Sequence, residues 1–176
     1  MTRYQIAVDA MGGDHAPTSV VDGVKLALAE MNDIEIRLCG PASALDACRD
    51  DRVHPVEANE VITMEEAPML AVRKKTDSSL VKAMLEVREG RAQAVVSAGS
   101  TGAVLAGGMF RIGRIKGIER PALATVLPGQ KGPVMFLDVG ANVDCQPKYL
   151  AAFGLMGSAY MKGVLGIENP RVGLLN

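Results

Sequence analysis

Short apolar runs that stop at glycine turns alternate with stretches whose apolar residues recur at helical spacing, and this alternation constrains the fold more than any other feature. Tyr4-Gln5-Ile6-Ala7-Val8 runs into Asp9-Ala10-Met11-Gly12-Gly13-Asp14, a strand followed by a glycine turn. Pro17 suits the first turn of a helix, where its missing N–H would be unpaired anyway. Val20, Val24, Ala27, Leu28 and Met31 then form one buried stripe. The alternation in Ile34-Glu35-Ile36-Arg37-Leu38-Cys39 predicts a strand, 42–49 a short helix and 53–58 a weak strand. Segment 59–75 has no clear reading, with Pro68 in its middle and Arg73-Lys74-Lys75 at its end. Thr76 or Asp77 is expected to cap a helix whose face carries Leu80, Val81, Met84, Leu85 and Val87. Beyond it, 94–98 predicts a buried strand, 100–112 a glycine-containing helix and 121–127 and 134–139 two more strands. A helix over 147–165 and a strand starting at 172–175 complete the pattern. Strands alternating with helices predict an α/β layered domain with a mainly parallel, Rossmann-like sheet. No polar linker divides 1–176, which reads as a single domain region and as the first part of a longer protein.

Composition narrows the function. Lys plus Arg total 19 and Asp plus Glu 20, a balance that argues against nucleic-acid binding, and 3% aromatic content leaves little with which to stack bases. Three widely spaced cysteines, Cys39, Cys48 and Cys145, fit a reducing compartment better than a disulfide scaffold. His15 and His54 share no short ligand motif with them, so no zinc site is expected. The uncharged stretch 92–110 is long enough to span a bilayer but is broken by Gln93, Ser97, Ser100, Thr101 and several glycines, so no transmembrane helix is expected.

Three strand-to-helix loops could carry chemistry. In Ser97-Ala98-Gly99-Ser100-Thr101-Gly102-Ala103 a strand enters a Gly/Ser/Thr turn that opens a helix. Free N–H groups, the helix dipole and two hydroxyls favour an anion there, and Gly99 and Gly102 would let a phosphate approach closely. An ordinary helix cap explains the same residues equally well. In Asp138-Val139-Gly140-Ala141-Asn142-Val143-Asp144-Cys145 the acidic spacing resembles a calcium loop. Gly140 and Tyr149 occupy ligand positions, however, so that reading fails, and Asp144 as a cap for the next helix is the alternative. The third loop, Asp9 to His15, has two acidic groups and two glycines, Gly12 and Gly13, that turn chemistry alone would also explain. Arg111, Arg114, Lys116 and Arg120 form a basic group, readable as an anionic docking face or as a solvated surface.

Together, Ile6-Ala7-Val8-Asp9-Ala10-Met11-Gly12-Gly13-Asp14, Ser97-Ala98-Gly99-Ser100-Thr101-Gly102-Ala103, Arg120-Pro121-Ala122-Leu123-Ala124, Leu137-Asp138-Val139-Gly140-Ala141-Asn142-Val143-Asp144 and Asn169-Pro170-Arg171-Val172-Gly173-Leu174-Leu175-Asn176 closely resemble the bacterial PlsX family of phosphate acyltransferases. The resemblance runs in order over nearly the whole chain. It implies acyl transfer from acyl-acyl carrier protein to inorganic phosphate in phospholipid synthesis, with a cytoplasmic homodimer and a downstream membrane glycerol-phosphate acyltransferase. It also implies a fold of the isocitrate/isopropylmalate dehydrogenase-like, phosphotransacetylase-related superfamily, no cofactor, no metal and no nucleic acid. The family's membrane-contacting helices and much of its dimer contact lie beyond Asn176, so this chain alone is expected to be poorly active. Asp9, Asp138 and Asn142 are the candidate catalytic residues. Ser97, Gly99, Ser100, Thr101, Gly102, Gly12 and Gly13 are the candidate phosphate ligands, and Arg111, Arg114, Lys116 and Arg120 the candidate carrier-docking residues. The inventory suits this chemistry, since phosphate is already a nucleophile and a thiol with a pKa of about 8.5 leaves readily as thiolate. A phosphotransacetylase-like enzyme using acyl-CoA and a non-catalytic phosphate- or nucleotide-binding module are the rival readings.

Overall fold

The computed structural model describes residues 3–175 and divides into two compact units, Met1–Gly113 and Arg114–Asn176. Asn176, part of the last predicted run, lies outside the described residues. In the first unit four strands, β1 (Tyr4–Asp9), β2 (Ile34–Gly40), β3 (Val53–Glu57) and β4 (Ala94–Val96), form one fully parallel sheet in the order β3-β2-β1-β4. The α/β reading of the sequence therefore holds. Helices α1 (Thr18–Glu30), α2 (Ala42–Asp46), α3 (Pro68–Lys74), α4 (Ser79–Arg88) and α5 (Thr101–Gly107) connect and flank these strands. A π-helical turn, Gly108–Ile112, continues α5.

Both faces of the sheet are covered, and the period-2 alternation of its strands shows how. Val8, Ile36 and Leu38 pack with Val21, Val24 and Leu28 of α1. Ala7 and Cys39, pointing the other way, pack with Ala83 of α4 and with Ala92. Burial on two faces is the normal state of a parallel sheet and explains the successive apolar residues Ile6-Ala7-Val8 of β1. Full burial of a side chain such as Leu38, 0% exposed, contributes about 1.5–3 kcal/mol. The α1 stripe differs from its expected membership, since Val21 rather than Val20 is buried and Met31 is exposed. Arg52 closes the C-terminus of α1 by donating to the carbonyls of Met31 (2.7 Å) and Leu28 (2.5 Å).

An ion-pair cluster around one buried carboxylate lies between α4 and the sheet. Glu86, 5% exposed, accepts from Arg91 at 2.6 and 2.8 Å and from the Arg37 guanidinium on β2. Arg91 first, and Arg37 after it, hold the Glu86 carboxyl below its usual range against the opposing effect of burial. Near the N-terminal ends of β1 and β2, Glu35 pairs with His54, accepts from Gln5 and pairs with Arg3, and these partners, His54 first, lower its pKa to about 2.

The cap of α4 corrects the sequence expectation. Ser78 is the N-cap, its Oγ accepting from Val81 N–H at 3.4 Å while donating to Lys75 O at 2.8 Å. Asp77 instead accepts from Asn59 and pairs with Lys82, fastening the unassigned segment to α4. Lys75 completes that fastening by donating to Val61 O (2.6 Å) and Glu66 (2.7 Å).

The second unit contains an antiparallel ribbon, β5 (Ala124–Gly129) and β6 (Gly132–Leu137), and one helix, α6 (Pro147–Gly163). The two strands expected from the sequence therefore pair with each other and lie outside the parallel sheet. A two-residue link, Gln130-Lys131, is too short for a parallel crossover, and Gly132 at φ +116° closes the turn. Asp144 does not cap α6, whose N-cap is Gln146. Residues 171–175 carry no regular secondary structure, so the strand expected there is absent.

Candidate functional site

β1 and β4 lie side by side where the chain order reverses. From β1 the chain proceeds to β2 and β3 on one side and returns to β4 on the other. In open parallel sheets the crevice outside the carboxyl ends of the strands at such a switch point is where ligands bind. Two of the three predicted loops leave the sheet at this point, 10–14 after β1 and 97–100 after β4.

Side chains knit these two loops together. Asp9, 3% exposed, accepts Met11 N–H on Oδ1 at 3.2 Å and the Ser97 hydroxyl on Oδ2 at 2.7 Å. Ser97 Oγ in turn accepts Gly99 N–H at 3.1 Å. Gly12 covers these bonds so closely that a Cβ there would stand 2.8 Å from Asp9 Oδ2, Ser97 Oγ and Gly99 N. Gly13, at φ +103°, passes over Ala98, whose carbonyl oxygen would be 3.2 Å from an added Cβ. The space left by this glycine pair is thus taken by the neighbouring loop.

The predicted phosphate residues fall into two groups. Ser97 and Gly99 have their donors committed within the knot. Ser100, the N-cap of α5, accepts Ala103 N–H at 3.4 Å, which uses a lone pair and leaves its O–H able to donate. Thr101 is exposed, and the first-turn amides of α5 have no intrahelical acceptor. Gly102 has a different task. A Cβ there would be 2.7 Å from Pro68 Cγ, so its bareness brings α5 onto α3. Pro68 is the neighbour that sequence reasoning missed, for a Pro–Gly contact across the fold leaves no local signal.

Asp138 and Asn142 form a clip within the second unit. Asp138 accepts Leu123 N–H on Oδ1 at 2.6 Å, and Asn142 N–H on Oδ2 at 2.7 Å. Asn142 Nδ2 donates to Pro121 O at 3.0 Å and to Asp138 Oδ2 at 3.3 Å. Both amide protons of Asn142 are therefore spent on shaping loop 138–146.

Nor do the four basic candidates act alike. In the first unit, Arg111 donates to Val72 O at 2.6 Å and to Arg73 O at 3.4 Å, closing the C-terminus of α3. Arg114 donates to Glu119 O at 2.6 Å. Lys116 is exposed, and Arg120 lies over the Tyr149 ring at 5.9 Å, with Lys148 also near that ring at 5.2 Å.

Beside Asp9 in the sheet, Cys39 is buried, and that burial, followed by the charges of Glu86 and Asp9, pushes its thiol up to about 12. It is no nucleophile. No three His, Cys, Asp or Glu side chains cluster to hold a metal among the described residues, and no described helix is long and apolar enough to cross a membrane.

Comparison with known proteins converges on one group. The family model described as "Fatty acid synthesis protein" matches residues 4–176. The chain belongs to this family, the PlsX family. Among similar PlsX relatives, a Phosphate acyltransferase of Clostridium perfringens (strain SM101 / Type A) is 52% identical over 178 residues, covering 98% of this chain and 52% of that protein. A Phosphate acyltransferase of Desulforudis audaxviator is 51% identical over 174 residues, again 98% and 52%. One from Bacillus pumilus is 51% identical over 175 residues, 98% and 53%. The chain spans about half the length of the curated PlsX relatives it matches.

Proposed function

We propose that this chain supplies the phosphate-binding part of an enzyme that transfers an acyl group from acyl-acyl carrier protein to inorganic phosphate. The observation that carries the reading is the start of α5 at the switch point, where Ser100 and Thr101 offer hydroxyls and first-turn amides beside a loop in which the Ser97 hydroxyl and the Gly99 amide are already engaged. The names of the relatives support the reaction class. Phosphate held there needs no base. One of its oxygens attacks the thioester carbonyl carbon, forming C–O while the carbonyl π electrons move to oxygen. Collapse of that oxyanion restores C=O and breaks C–S, the sulfur leaving as thiolate with the bonding pair and afterwards taking a proton from water. The protein's contribution is to place two reactants and to stabilise an oxyanion with N–H donors.

Exposed Lys116 and Arg120 suit docking of an acidic carrier protein. Arg111 and Arg114 suit it less, since backbone carbonyls already engage them. Asp138 and Asn142 contribute by holding their loop in shape. The product is a mixed anhydride, which a membrane glycerol-phosphate acyltransferase would consume, and a cytoplasmic homodimer is the proposed setting.

Thr101→Ala and Ser100→Ala, made in a protein of the relatives' full length, test the reading. Losing a hydrogen bond to a charged ligand costs about 1.5–3 kcal/mol, so the KM for phosphate is expected to rise about tenfold or more. Unchanged phosphate kinetics in both variants would remove this loop from the site. Equal turnover with acyl-CoA would favour the phosphotransacetylase-like reading, and phosphate binding without thiol release a non-catalytic module.

A further inference from the structure

Asp9 is a buried carboxylate set behind the turn proposed above to hold phosphate, where its charge is adverse to any anionic ligand, and among the described residues no cation pairs with it. Its bonds show what it does instead. A carboxylate can only accept, so Oδ2 fixes the direction of the Ser97 O–H. Once that proton points at Asp9, the Ser97 oxygen presents lone pairs on its other side, and Gly99 N–H fills one of them at 3.1 Å. A hydroxyl alone could rotate and donate to the phosphate. A hydroxyl held by a carboxylate cannot. The Gly99 amide is thereby turned inward, and the two residues after it are delivered to the start of α5, Ser100 largely buried as its N-cap and Thr101 exposed.

We propose that Asp9 is a positioning residue for phosphate, acting through a relay Asp9 carboxylate → Ser97 hydroxyl → Gly99 amide that sets the turn from which Ser100 and Thr101 bind the anion. This deepens the phosphate reading given above and rests on it. Gly12 seals the relay, because no Cβ fits among its three polar atoms. The relay also sharpens selectivity for an anion of small size, since it removes Ser97 and Gly99 as ligands and confines the donors to one short arc at the helix start. Asp9 touches neither the thioester nor the phosphate in this scheme.

Asp9→Asn distinguishes a relay from a merely polar residue. The amide keeps the shape but has a single acceptor. If its oxygen keeps Met11 N–H, its NH2 faces Ser97 Oγ, and the serine must then accept where it used to donate. Its hydroxyl proton is set loose and it competes with Gly99 for the oxygen. Ser97→Ala breaks the same relay at a half-buried position and serves as the second variant should Asp9→Asn unfold. The measurements are the KM for phosphate and for the acyl thioester in the full-length protein, with amide hydrogen exchange at Gly99. Both variants are expected to raise the phosphate KM by about tenfold, to leave the thioester KM near its original value and to speed exchange at Gly99. A residue needed only for folding would lower active enzyme without separating the two KM values. If Asp9→Asn and Ser97→Ala keep the original phosphate KM while Thr101→Ala raises it, the relay is wrong and the phosphate site stands. If Thr101→Ala and Ser100→Ala are silent as well, the phosphate reading falls and takes the relay with it.

Discussion

Asp9 ends β1 and Asp138 follows β6, each a few residues ahead of a glycine, yet their surroundings give them different work. Asp9 is buried and reaches across to the loop that follows a neighbouring strand, taking the Ser97 hydroxyl 88 positions away. Asp138 is half-buried and takes backbone N–H groups, one from its own loop and one from Leu123 just before the strand that pairs with β6. Two parallel neighbours place their carboxyl ends together, so a side chain at one end can meet the loop of the other. In an antiparallel ribbon the end of one strand meets the beginning of its partner, and an aspartate there fastens one chain passage to the next. An aspartate at or just past the end of a strand thus ties two loops together in the parallel sheet and acts as a clip in the antiparallel ribbon.

If that contrast is right, Asp138→Ala should have the largest effect on stability and little effect on phosphate affinity. It strands the Leu123 and Asn142 amides, at a cost of about 2–3 kcal/mol, which chemical denaturation will measure together with faster exchange at Leu123. A rise in phosphate KM without loss of stability would erase the contrast. Next, alanine at the two loop glycines should act by different physics. Gly12→Ala inserts a methyl group among three polar atoms and is expected to cost about 1–3 kcal/mol while raising the phosphate KM. Gly140→Ala meets no atom within 4 Å but must hold φ at +94°, so a loss of about 1–2 kcal/mol with unchanged KM is expected. The smallest effect is chemical. Cys39, whose pKa is pushed up to about 12, should resist alkylation at pH 8 in the folded protein, whereas half-exposed Cys145 in the Asp138 loop should react. Mass spectrometry of briefly alkylated protein checks this, and early labelling of Cys39 would mean that the first region opens more easily than its burial implies.

Much of the first unit was legible because its signals are local. Apolar runs, glycine turns and helical stripes mark the strands and helices near their observed positions, and the glycine-rich loops at the ends of β1 and β4 stand out in the sequence itself. Their partnership was not legible. Asp9 and Ser97 meet because β4 returns to the side of β1, and strand order is set by packing far along the chain. What glycines 12 and 102 make room for was hidden for the same reason: a neighbouring loop and Pro68. Arg111 read as a surface charge because nothing in its own segment announces the carbonyls of α3. The ribbon is the converse case, since Gly129 and Gly132 flanking two residues are a hairpin signal that could have been read directly.

The brevity of β4 has a consequence for how the protein folds. Only three residue pairs, Ile6 with Ala94, Ala7 with Val95 and Val8 with Val96, join it to the sheet. Three pairs discriminate poorly against a slip by one residue, and at such an edge a slip is easily made. Side chains on either flank do the checking. Gln93 accepts Gln5 N–H on its Oε1 at 2.7 Å at one end, and Ser97 meets Asp9 at the other. A slip by one would set Val96 or Ala98 opposite the buried carboxylate and turn every β4 side chain to the wrong face. A charge left buried without its donor is costly enough to reject that mistake. The bond that ties the loops after β1 and β4 together is therefore also a contact that favours the one alignment in which the sheet is completed.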